Sequence, residues 1–277
     1  MSPSIDALHA AGLEVPRIGL GTFRLESESV TRVVEAALGV GYRHIDTAER
    51  YGNEREVGLG VRNSRVPREH IFIATKIAHT EAAASDAPAA ARGCVERLGT
   101  GYVDLLYLHW PHPDIPPEET FESLLPLVEE GIIRGLGVSN FPSELVRRVL
   151  RVTPLVANEV EHHPYLPQPT LERVAEESGS CLTSYAPFAE GRVFDDPVLQ
   201  AIGAKHSKTA GQITLRWLLD KPCTVVIPKT SSVERLGPNM DIAGIELDDD
   251  DRRRIAALGT PSTRYFDPPW GPKWDES

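Results

Sequence analysis

Short runs of aliphatic and β-branched residues alternate along the chain with longer segments in which apolar residues recur at helical spacing. The runs predict strands over Tyr42–Asp46, Ile71–Lys76, Leu105–His109, Gly135–Ser139, Val156–Val160, Cys181–Tyr185 and Thr224–Ile227, with a short eighth near Asn239–Ile242. The helical spacing predicts helices over Val30–Val40, Glu54–Val61, Ala87–Leu98, Glu118–Glu130, Ser143–Val152, Thr170–Ser178, Thr209–Leu219 and Asp248–Leu258. Eight alternating units indicate an α/β fold, a (β/α)8 TIM barrel, although an open doubly wound sheet would show the same alternation.

One domain accounts for the whole chain, residues 1–277, because no linker or low-complexity tract interrupts the pattern. Barrels of this class commonly reach about 250 residues. Ahead of the first predicted barrel strand, Val15–Leu20 and Gly21–Leu25 predict a small N-terminal β-hairpin or plug. The proline-rich stretches Pro111–Pro117 and Pro261–Pro272 predict long loops at the C-terminal face of the barrel.

The chain carries a net charge of −11, which argues against nucleic acid or an anionic membrane as a partner. Its three cysteines are widely spaced and form neither a disulfide framework nor a metal-binding motif. The sequence does not open with a secretory pattern, and no apolar stretch reaches the about 20 residues of a membrane span. We therefore expect a cytoplasmic protein.

Reactive polar residues fall at the carboxyl ends of the predicted strands. They are Asp46, Lys76, His109, Ser139, Glu159, Tyr185 and, just after the seventh strand, Lys229. In a barrel these ends converge on one rim, where the strand–helix loops build active sites. Any one of these residues could merely cap the sheet, but the shared register of the whole set favours a common site.

An acid–base group is expected at that rim. Tyr51 follows Asp46 closely in the chain and can reach over the same site. A cation such as Lys76 would lower the pKa of the phenol from about 10 toward neutrality, which suits a general acid. His109 could then donate a hydrogen bond to the carbonyl oxygen that receives the proton.

Nucleophilic and metal chemistry have less support. Ser139 lacks a neighbouring histidine or aspartate of the kind that activates a serine. His162 and His163 are adjacent, and no third ligand stands at suitable spacing, so we interpret them as packing residues and expect no metal site.

Six segments together resemble the aldo-keto reductases. They are GYRHIDTAERYGNE (41–54), IFIATK (71–76), LGTGYVDLLYLHWP (98–111), GLGVSNF (135–141), VANEVEHHPYLPQ (156–168) and IPKTSSVERLGPN (227–239). The resemblance runs in order from about residue 12 to the C-terminus. The length and the short C-terminus are most similar to those of bacterial 2,5-diketo-D-gluconate reductases.

The resemblance implies a catalytic tetrad of Asp46, Tyr51, Lys76 and His109. Tyr51 would donate the proton, Lys76 and Asp46 would set its acidity, and His109 would orient the carbonyl. The implied reaction reduces aldehydes or ketones to alcohols with hydride from C4 of a reduced nicotinamide.

The family holds its cofactor extended across the barrel mouth. The resemblance implies contacts from Gly21, Thr22, Asp46, Ser139, Asn140, Glu159, Tyr185, Ala186, Pro187, Phe188, Lys229, Thr230, Arg235 and Asn239. Ser139 and Asn140 would hold the nicotinamide carboxamide. Lys229, Thr230 and Arg235 would bind the adenosine 2′-phosphate, which favours NADPH over NADH. The alternative is that Lys229 and Arg235 are an ordinary exposed pair.

Three residues depart from the family pattern around the cofactor. Glu159 stands where the family usually has glutamine, so an amide donor is lost, although its oxygens could still accept from the carboxamide NH₂. Pro238 replaces an acid that contacts adenine. Glu190 brings negative charge to a loop expected near the pyrophosphate. Tyr185 and Asn239 keep the implied roles of ring stacking and adenine contact.

Arg50 directly precedes Tyr51, at a pocket position that is commonly apolar in the family. We hypothesise that its guanidinium faces the substrate and favours anions such as keto-acids or diketo-sugar acids. The alternative is that Arg50 points outward or pairs with Glu49.

The substrate pocket is expected to include Phe23, Arg50, Trp110 and Trp270. The tail residues Tyr265, Phe266 and Trp274 could line it too, or simply pack the C-terminus down. The expected partner is a small carbonyl compound, and the expected state is a monomer or weak homodimer. A non-catalytic NADPH-binding module and a barrel hydrolase or isomerase are the rival interpretations. An intact tetrad argues against the first, and missing metal ligands argue against the second.

Overall fold

Ten strands organise the molecule, and the computed structural model describes residues 7–259 and 263–275. The strands are β1 (Leu8–Ala10), β2 (Leu13–Val15), β3 (Leu20–Gly21), β4 (His44–Asp46), β5 (Phe72–Ile77), β6 (Leu105–Leu108), β7 (Leu136–Ser139), β8 (Ala157–Glu161), β9 (Cys181–Tyr185) and β10 (Thr224–Val226). Strands β3 to β10 form one parallel sheet in sequence order. Parallel bridges from Ile18 to Val226 and from Gly21 to Lys229 join its two edges and close the barrel. The (β/α)8 prediction is confirmed.

Helices connect these strands and surround them. They are α1 (Ser27–Val40), α2 (Glu54–Asn63), α3 (Ala87–Leu98), α4 (Pro117–Glu129), α5 (Ser143–Val149), α6 (Pro169–Ser178), α7 (Arg192–Asp195), α8 (Pro197–His206), α9 (Ala210–Leu219), α10 (Leu236–Met240) and α11 (Asp249–Ala256). Successive helices from α1 to α6 pack on one another, as expected for the outer ring of a barrel. Within the described residues, no helix is both long and apolar enough to cross a membrane.

The eighth barrel strand lies at the start of the chain, not near its end. The prediction near Asn239–Ile242 is wrong, because Asn239 and Met240 belong to α10. The strand is instead β3, which lies inside the segment predicted as a hairpin. The segment contains glycines in place of β-branched residues, so its sequence pattern did not predict a strand. Close packing requires these glycines. A Cβ on Gly21 would lie 2.8 Å from the carbonyl oxygen of Ile227.

The N-terminal hairpin exists, but it lies earlier than Val15–Leu20 and Gly21–Leu25. It consists of β1 and β2, which pair antiparallel through a turn at Ala11 and Gly12, both with positive φ. Ala10 and Val15 belong to the same apolar cluster as Phe72 and Leu105, which begin β5 and β6. The hairpin therefore closes the amino-terminal end of the barrel and leaves the opposite end open for a site.

Alternation along the strands determines which side chains face the barrel interior. In β5, Phe72 and Ala74 join the interior cluster, whereas Ile73 and Ile77 join the larger core between the strands and the helices. The same two-residue period places Lys76 above Ala74, at the carboxyl-end mouth. The charged groups that these strands turn to the interior thus lie in its last layer, whereas His44, whose pKa is lowered by burial, packs against Phe72 nearer the amino-terminal end.

Helices α2 and α3 approach most closely at Gly58, where a Cβ would overlap the carbonyl oxygen of Leu98. We expect Gly58→Ala to lower the free energy of unfolding by about 1–3 kcal/mol through overpacking. The matched control is Gly39→Ala in α1, where no atom lies within 4 Å of the place that the added methyl carbon would take; it should raise stability by about 0.5 kcal/mol through helix propensity. Urea denaturation measures both, and equal effects would contradict the packing assignment.

Candidate active site

A cavity of about 980 Å³ opens at the carboxyl ends of the barrel strands. Its lining includes most of the residues predicted for the site, namely Gly21, Phe23, Asp46, Arg50, Tyr51, His109, Trp110, Ser139, Asn140, Glu159, Tyr185, Ala186, Pro187, Phe188, Lys229, Arg235 and Trp270. Lys76 is fully buried against this lining. The remaining predicted residues, Thr22, Thr230 and Asn239, do not line the cavity.

Lys76 is the centre of a buried charge cluster. Its Nζ lies 2.6 and 2.7 Å from the two carboxylate oxygens of Asp46 and donates to the Thr47 carbonyl at 3.0 Å. Oε1 of Glu159 lies 3.1 Å from the same nitrogen. Burial acts to lower the pKa of Lys76, but effects led by the charge of Asp46 outweigh it and hold that pKa above its usual range. Lys76 is therefore a permanent cation.

Tyr51 ends a short 3-10 turn, Glu49–Tyr51, that follows β4. The turn is held from behind, because the Glu49 carboxylate accepts hydrogen bonds from the Ala78 amide at 3.2 Å and from Arg97 at 3.1 Å. The Tyr51 ring lies 5.4 Å from Lys76 Nζ and makes an edge contact with the His109 ring at 5.8 Å. The phenol, the ammonium and the imidazole predicted as a group do meet.

The acidity of Tyr51 differs from the expectation. Burial raises the pKa of the Tyr51 phenol above its ordinary value, and the Lys76 ammonium only partly opposes this effect. The reason is that the Asp46 carboxylate compensates the positive charge of Lys76, so less of that charge acts on the phenol. Tyr51 consequently holds its proton at neutral pH, and Lys76 is placed to stabilise the phenolate that remains after the proton leaves.

His109 is neutral. Burial, the Lys76 charge and the nearby Arg50 charge together lower the pKa of its imidazole well below the ordinary value. Asn140 Nδ2 donates to the His109 carbonyl at 3.0 Å, which ties the residue to the next strand end. Its buried Nδ1 has no hydrogen-bond partner within the described residues. The ring thus has hydrogen-bonding capacity for a molecule in the cavity.

Ser139 and Asn140 form a prearranged polar edge. Ser139 Oγ donates to the Glu159 carbonyl at 3.0 Å, and Asn140 Nδ2 lies 3.1 Å from Ser139 Oγ. The Tyr185 hydroxyl donates to Asn140 Oδ1 at 2.8 Å. Asn140 adopts φ of 62°, a left-handed conformation that turns the chain sharply after β7. This strained turn places an amide group beside an aromatic ring at the cavity wall.

Two cations from the segment that follows β10 line part of the cavity. Lys229 and Arg235 are both exposed, and no ion pair involves either of them in the part of the chain that the structure describes. Thr230 is buried instead, and its hydroxyl donates to the Ser232 carbonyl at 3.2 Å within a local turn. Asn239 contacts the Tyr42 hydroxyl. The cationic pair is therefore the feature of this part of the cavity that is available to an anion.

Glu190 does not present an uncompensated negative charge. Its carboxylate pairs with Arg24 at 3.0 Å, and both residues line the cavity. Ala186, Ala189 and Glu190 all have positive φ, so the loop after β9 follows a tight path along the opening. The sequence alone does not indicate that Arg24 pairs with Glu190, because the two residues are 166 positions apart.

Arg50 lines the cavity and is exposed. Its charge lowers the pKa of both His109 and His79, in each case after the larger effect of burial. Glu49, the alternative partner, pairs with Arg97 instead. No ion pair involves Arg50 among the residues that the structure describes, so its guanidinium remains available inside the cavity.

Aromatic rings form the wall next to Arg50. His79 stacks on Trp270 at 4.1 Å, and Trp270 packs edge-on against Trp110 at 5.5 Å. Phe23 contacts Phe266 at 6.1 Å. The tail therefore contributes to the cavity, as the positions of Phe266 and Trp270 show, and His79 is a lining residue that sequence reasoning missed.

Glu161 anchors this tail and was also missed. It is fully buried. Its carboxylate accepts hydrogen bonds from the backbone amides of Tyr265 and Phe266, both at 2.9 Å, and one of its oxygens lies 3.0 Å from His163 Nε2. His163 is therefore a packing and hydrogen-bonding partner of Glu161. The inward period of residues 157, 159 and 161 in β8 could have identified Glu161 as a second acid at the mouth.

The comparisons with known proteins agree with this geometry. The model of the Aldo/keto reductase family matches residues 17–260. The chain is 35% identical to the methylglyoxal reductase DkgB of Escherichia coli O157:H7, over 95% of this chain and 100% of that protein. It is 38% identical to the glyoxal reductase of Bacillus subtilis (strain 168), over 89% of this chain and 90% of that protein.

A solved structure provisionally named 2,5-diketo-D-gluconic acid reductase B superimposes with a TM-score of 0.95 at 36% identity, covering 98% of each chain. The fold, the family match and these relatives cover nearly the whole molecule. The chain belongs to the aldo/keto reductase family.

Proposed function

We propose that this enzyme reduces aldehydes and ketones to alcohols with NADPH, and that Tyr51 is the proton donor. Carbonyl reduction agrees with the family and with the glyoxal and methylglyoxal reductases among its relatives. The observation that carries the proposal is the meeting of Tyr51, Lys76, Asp46 and His109 at one cavity. When bound, NADPH supplies the hydride that reduces the carbonyl carbon.

The side chains of the site protonate the carbonyl oxygen of the substrate and donate a hydrogen bond to it. Tyr51 holds a proton because burial raises its pKa, and it donates that proton to the oxygen as negative charge develops there. The Lys76 ammonium then stabilises the phenolate, and Asp46 keeps Lys76 oriented through two short contacts. The neutral imidazole of His109 supplies a hydrogen-bond donor to the same oxygen.

The cavity fits a phosphorylated dinucleotide. Lys229 and Arg235 are exposed lining residues without ion-pair partners among the described residues, as a binding site for a phosphate dianion requires. Ser139 and Asn140 offer hydroxyl and amide groups to the same cavity. Together these two sets of residues would hold the 2′-phosphate and the nicotinamide of NADPH in one cavity.

The substrate class follows from Arg50. Arg50 has no acidic partner among the described residues, and the neighbouring wall of the cavity is aromatic. A guanidinium in this position is suited to bind a carboxylate. We therefore assign keto-acids, including acidic keto-sugars, as preferred substrates over neutral carbonyl compounds of the same shape.

Tyr51→Phe should reduce kcat by about 10²–10⁴-fold, because the variant has no proton to give. The Kd for NADPH should remain close to that of the parent enzyme, since the ring stays in place against Phe23 and His109. Single-turnover kinetics and fluorescence titration measure the two quantities. Near-normal carbonyl reduction by the variant would show that another group is the acid.

Cofactor choice is tested at the cationic pair of the cavity. Replacing Lys229 and Arg235 together by alanine should weaken NADPH binding by about 10²–10⁴-fold, because the two charge-assisted contacts to a phosphate contribute about 1.5–3 kcal/mol each. NADH binding should change less than about threefold, because NADH lacks the 2′-phosphate that these cations would contact. Glu234, an exposed acid in the same turn, provides the control Glu234→Ala. Equal losses for both cofactors would contradict the 2′-phosphate assignment.

The role of Arg50 is tested with paired substrates. Arg50→Ala should lower kcat/KM for a 2-keto-acid by about 10–100-fold and leave kcat/KM for its neutral ester nearly unchanged. Arg50→Lys, which keeps the charge and loses the planar fork, should retain part of the preference. If the preference for acid over ester is the same in all three proteins, Arg50 does not contact the substrate carboxylate.

A further inference from the structure

Glu159 is an unusual residue in this site. It lies on β8 next to Ser139, is only 2% exposed, and lines the cavity where Ser139, Asn140 and Tyr185 converge. Its Oε1 contacts Lys76 at 3.1 Å, and its buried Oε2 accepts no hydrogen bond from a donor within the described residues. The Asp46 carboxylate also lies within hydrogen-bond range of the Glu159 carboxyl group, a contact that is favourable only when one of the two acids carries a proton. A buried oxygen without a donor is costly, and because Glu159 lines the cavity a bound molecule would supply one.

The charges around Glu159 do not balance if it is ionised. Two carboxyl groups, those of Asp46 and Glu159, surround the single ammonium of Lys76. Asp46 makes two short contacts to that ammonium, and Glu159 makes one longer contact. Glu159 is thus the less compensated of the two acids. A proton on it would remove the repulsion with Asp46.

A protonated carboxyl group has the hydrogen-bonding inventory of an amide, with one oxygen that accepts and one group that donates. An ionised carboxyl can only accept. The carboxamide of nicotinamide has both a carbonyl oxygen and an NH₂ group, so a neutral acid matches it better than a carboxylate does. We propose that Glu159 binds the nicotinamide carboxamide as a neutral carboxylic acid, and that its ionisation discriminates between the reduced and oxidised cofactor.

This inference rests on the proposed use of NADPH. The reduced nicotinamide ring is uncharged, whereas the oxidised ring carries a positive charge. A neutral Glu159 favours the reduced form, and an ionised Glu159 next to a cationic ring favours the oxidised form. Ionisation of one side chain therefore shifts affinity in opposite directions for the two cofactor forms.

The surroundings of Glu159 support a titration at elevated pH. Burial and the Asp46 charge raise its pKa well above the ordinary value, and the Lys76 ammonium only partly opposes them. Glu159 also interacts with the phenols of Tyr51 and Tyr185, which line the cavity, and of Tyr107, which is buried in the barrel interior. Burial raises the pKa of all three phenols above its ordinary value, so they are protonated at neutral pH. Glu161, on the same strand, accepts a hydrogen bond from the Tyr265 amide of the tail.

The test measures Kd for NADPH and for NADP⁺ by fluorescence titration of the whole chain from neutral to alkaline pH. The ratio Kd(NADPH)/Kd(NADP⁺) should rise by up to about tenfold per pH unit through the Glu159 titration. The 2′-phosphate, whose second pKa is about 6, is common to both forms and cancels in the ratio. Glu159→Gln should bind NADPH well and give a ratio independent of pH. Glu190→Gln, which removes another acid from the cavity lining, should keep the pH dependence of the parent protein.

A flat ratio in the parent protein, or the same slope in Glu159→Gln, would overturn the assignment. Infrared spectra of the parent protein with ¹³C-labelled glutamate provide a measurement that needs no variant. The NADPH complex should show the carbonyl band of a protonated glutamic acid, and its absence at neutral pH would also refute the inference. Failure of both cofactor forms to bind would instead refute the proposed function, and this inference would fall with it.

Discussion

The site depends on one ammonium group buried at the mouth of the barrel. Moving a lysine charge out of water costs several kcal/mol, and only closely placed opposite charges recover that cost. Lys76 has Asp46, Glu159 and the Thr47 carbonyl within 3.1 Å. These contacts join β4, β5 and β8 at their carboxyl ends. The cluster therefore holds three strand ends in a defined relation, and the side chain of Tyr51 takes its position against them.

Strand alternation explains why this cluster lies where it does. The interior of the barrel is mostly apolar at its amino-terminal end, where the hairpin of β1 and β2 covers it, and the cluster of Lys76, Asp46 and Glu159 lies in its last layer. A charged residue one position earlier or later in β5 would face the helices. The barrel thus confines charge to the layer that meets solvent and ligand. The loops contribute the remaining side chains of the site, including the phenol of Tyr51 on its 3-10 turn and the aromatic rings of the tail.

Local pattern was enough to predict seven barrel strands, most helices and the residues at the strand ends. It failed at β3, because a strand of two residues preceded by a glycine carries no periodicity, and only the parallel pairing with β4 and the bridge to Lys229 make that segment a strand. It also failed where distant groups set an electrostatic balance. The high pKa of Tyr51 depends on its burial and on how far Asp46 compensates the charge of Lys76, and the sequence gives neither the burial nor the distances. The Arg24 to Glu190 pair and the tail anchor on Glu161 are long-range contacts of the same kind.

Two glutamates on one strand show how strongly the local donors decide the chemistry of an acid. Glu159 and Glu161 are both buried and both lie at the mouth of the barrel. Backbone amides of the tail donate to Glu161, and His163 lies beside it, so its oxygens are satisfied within the protein and it serves as an anchor. Glu159 faces a single shared cation and keeps one oxygen without a partner among the described residues. Because Glu159 also lines the cavity, we infer that the residue that replaces the glutamine usual in the family is the one whose proton a bound cofactor would sense.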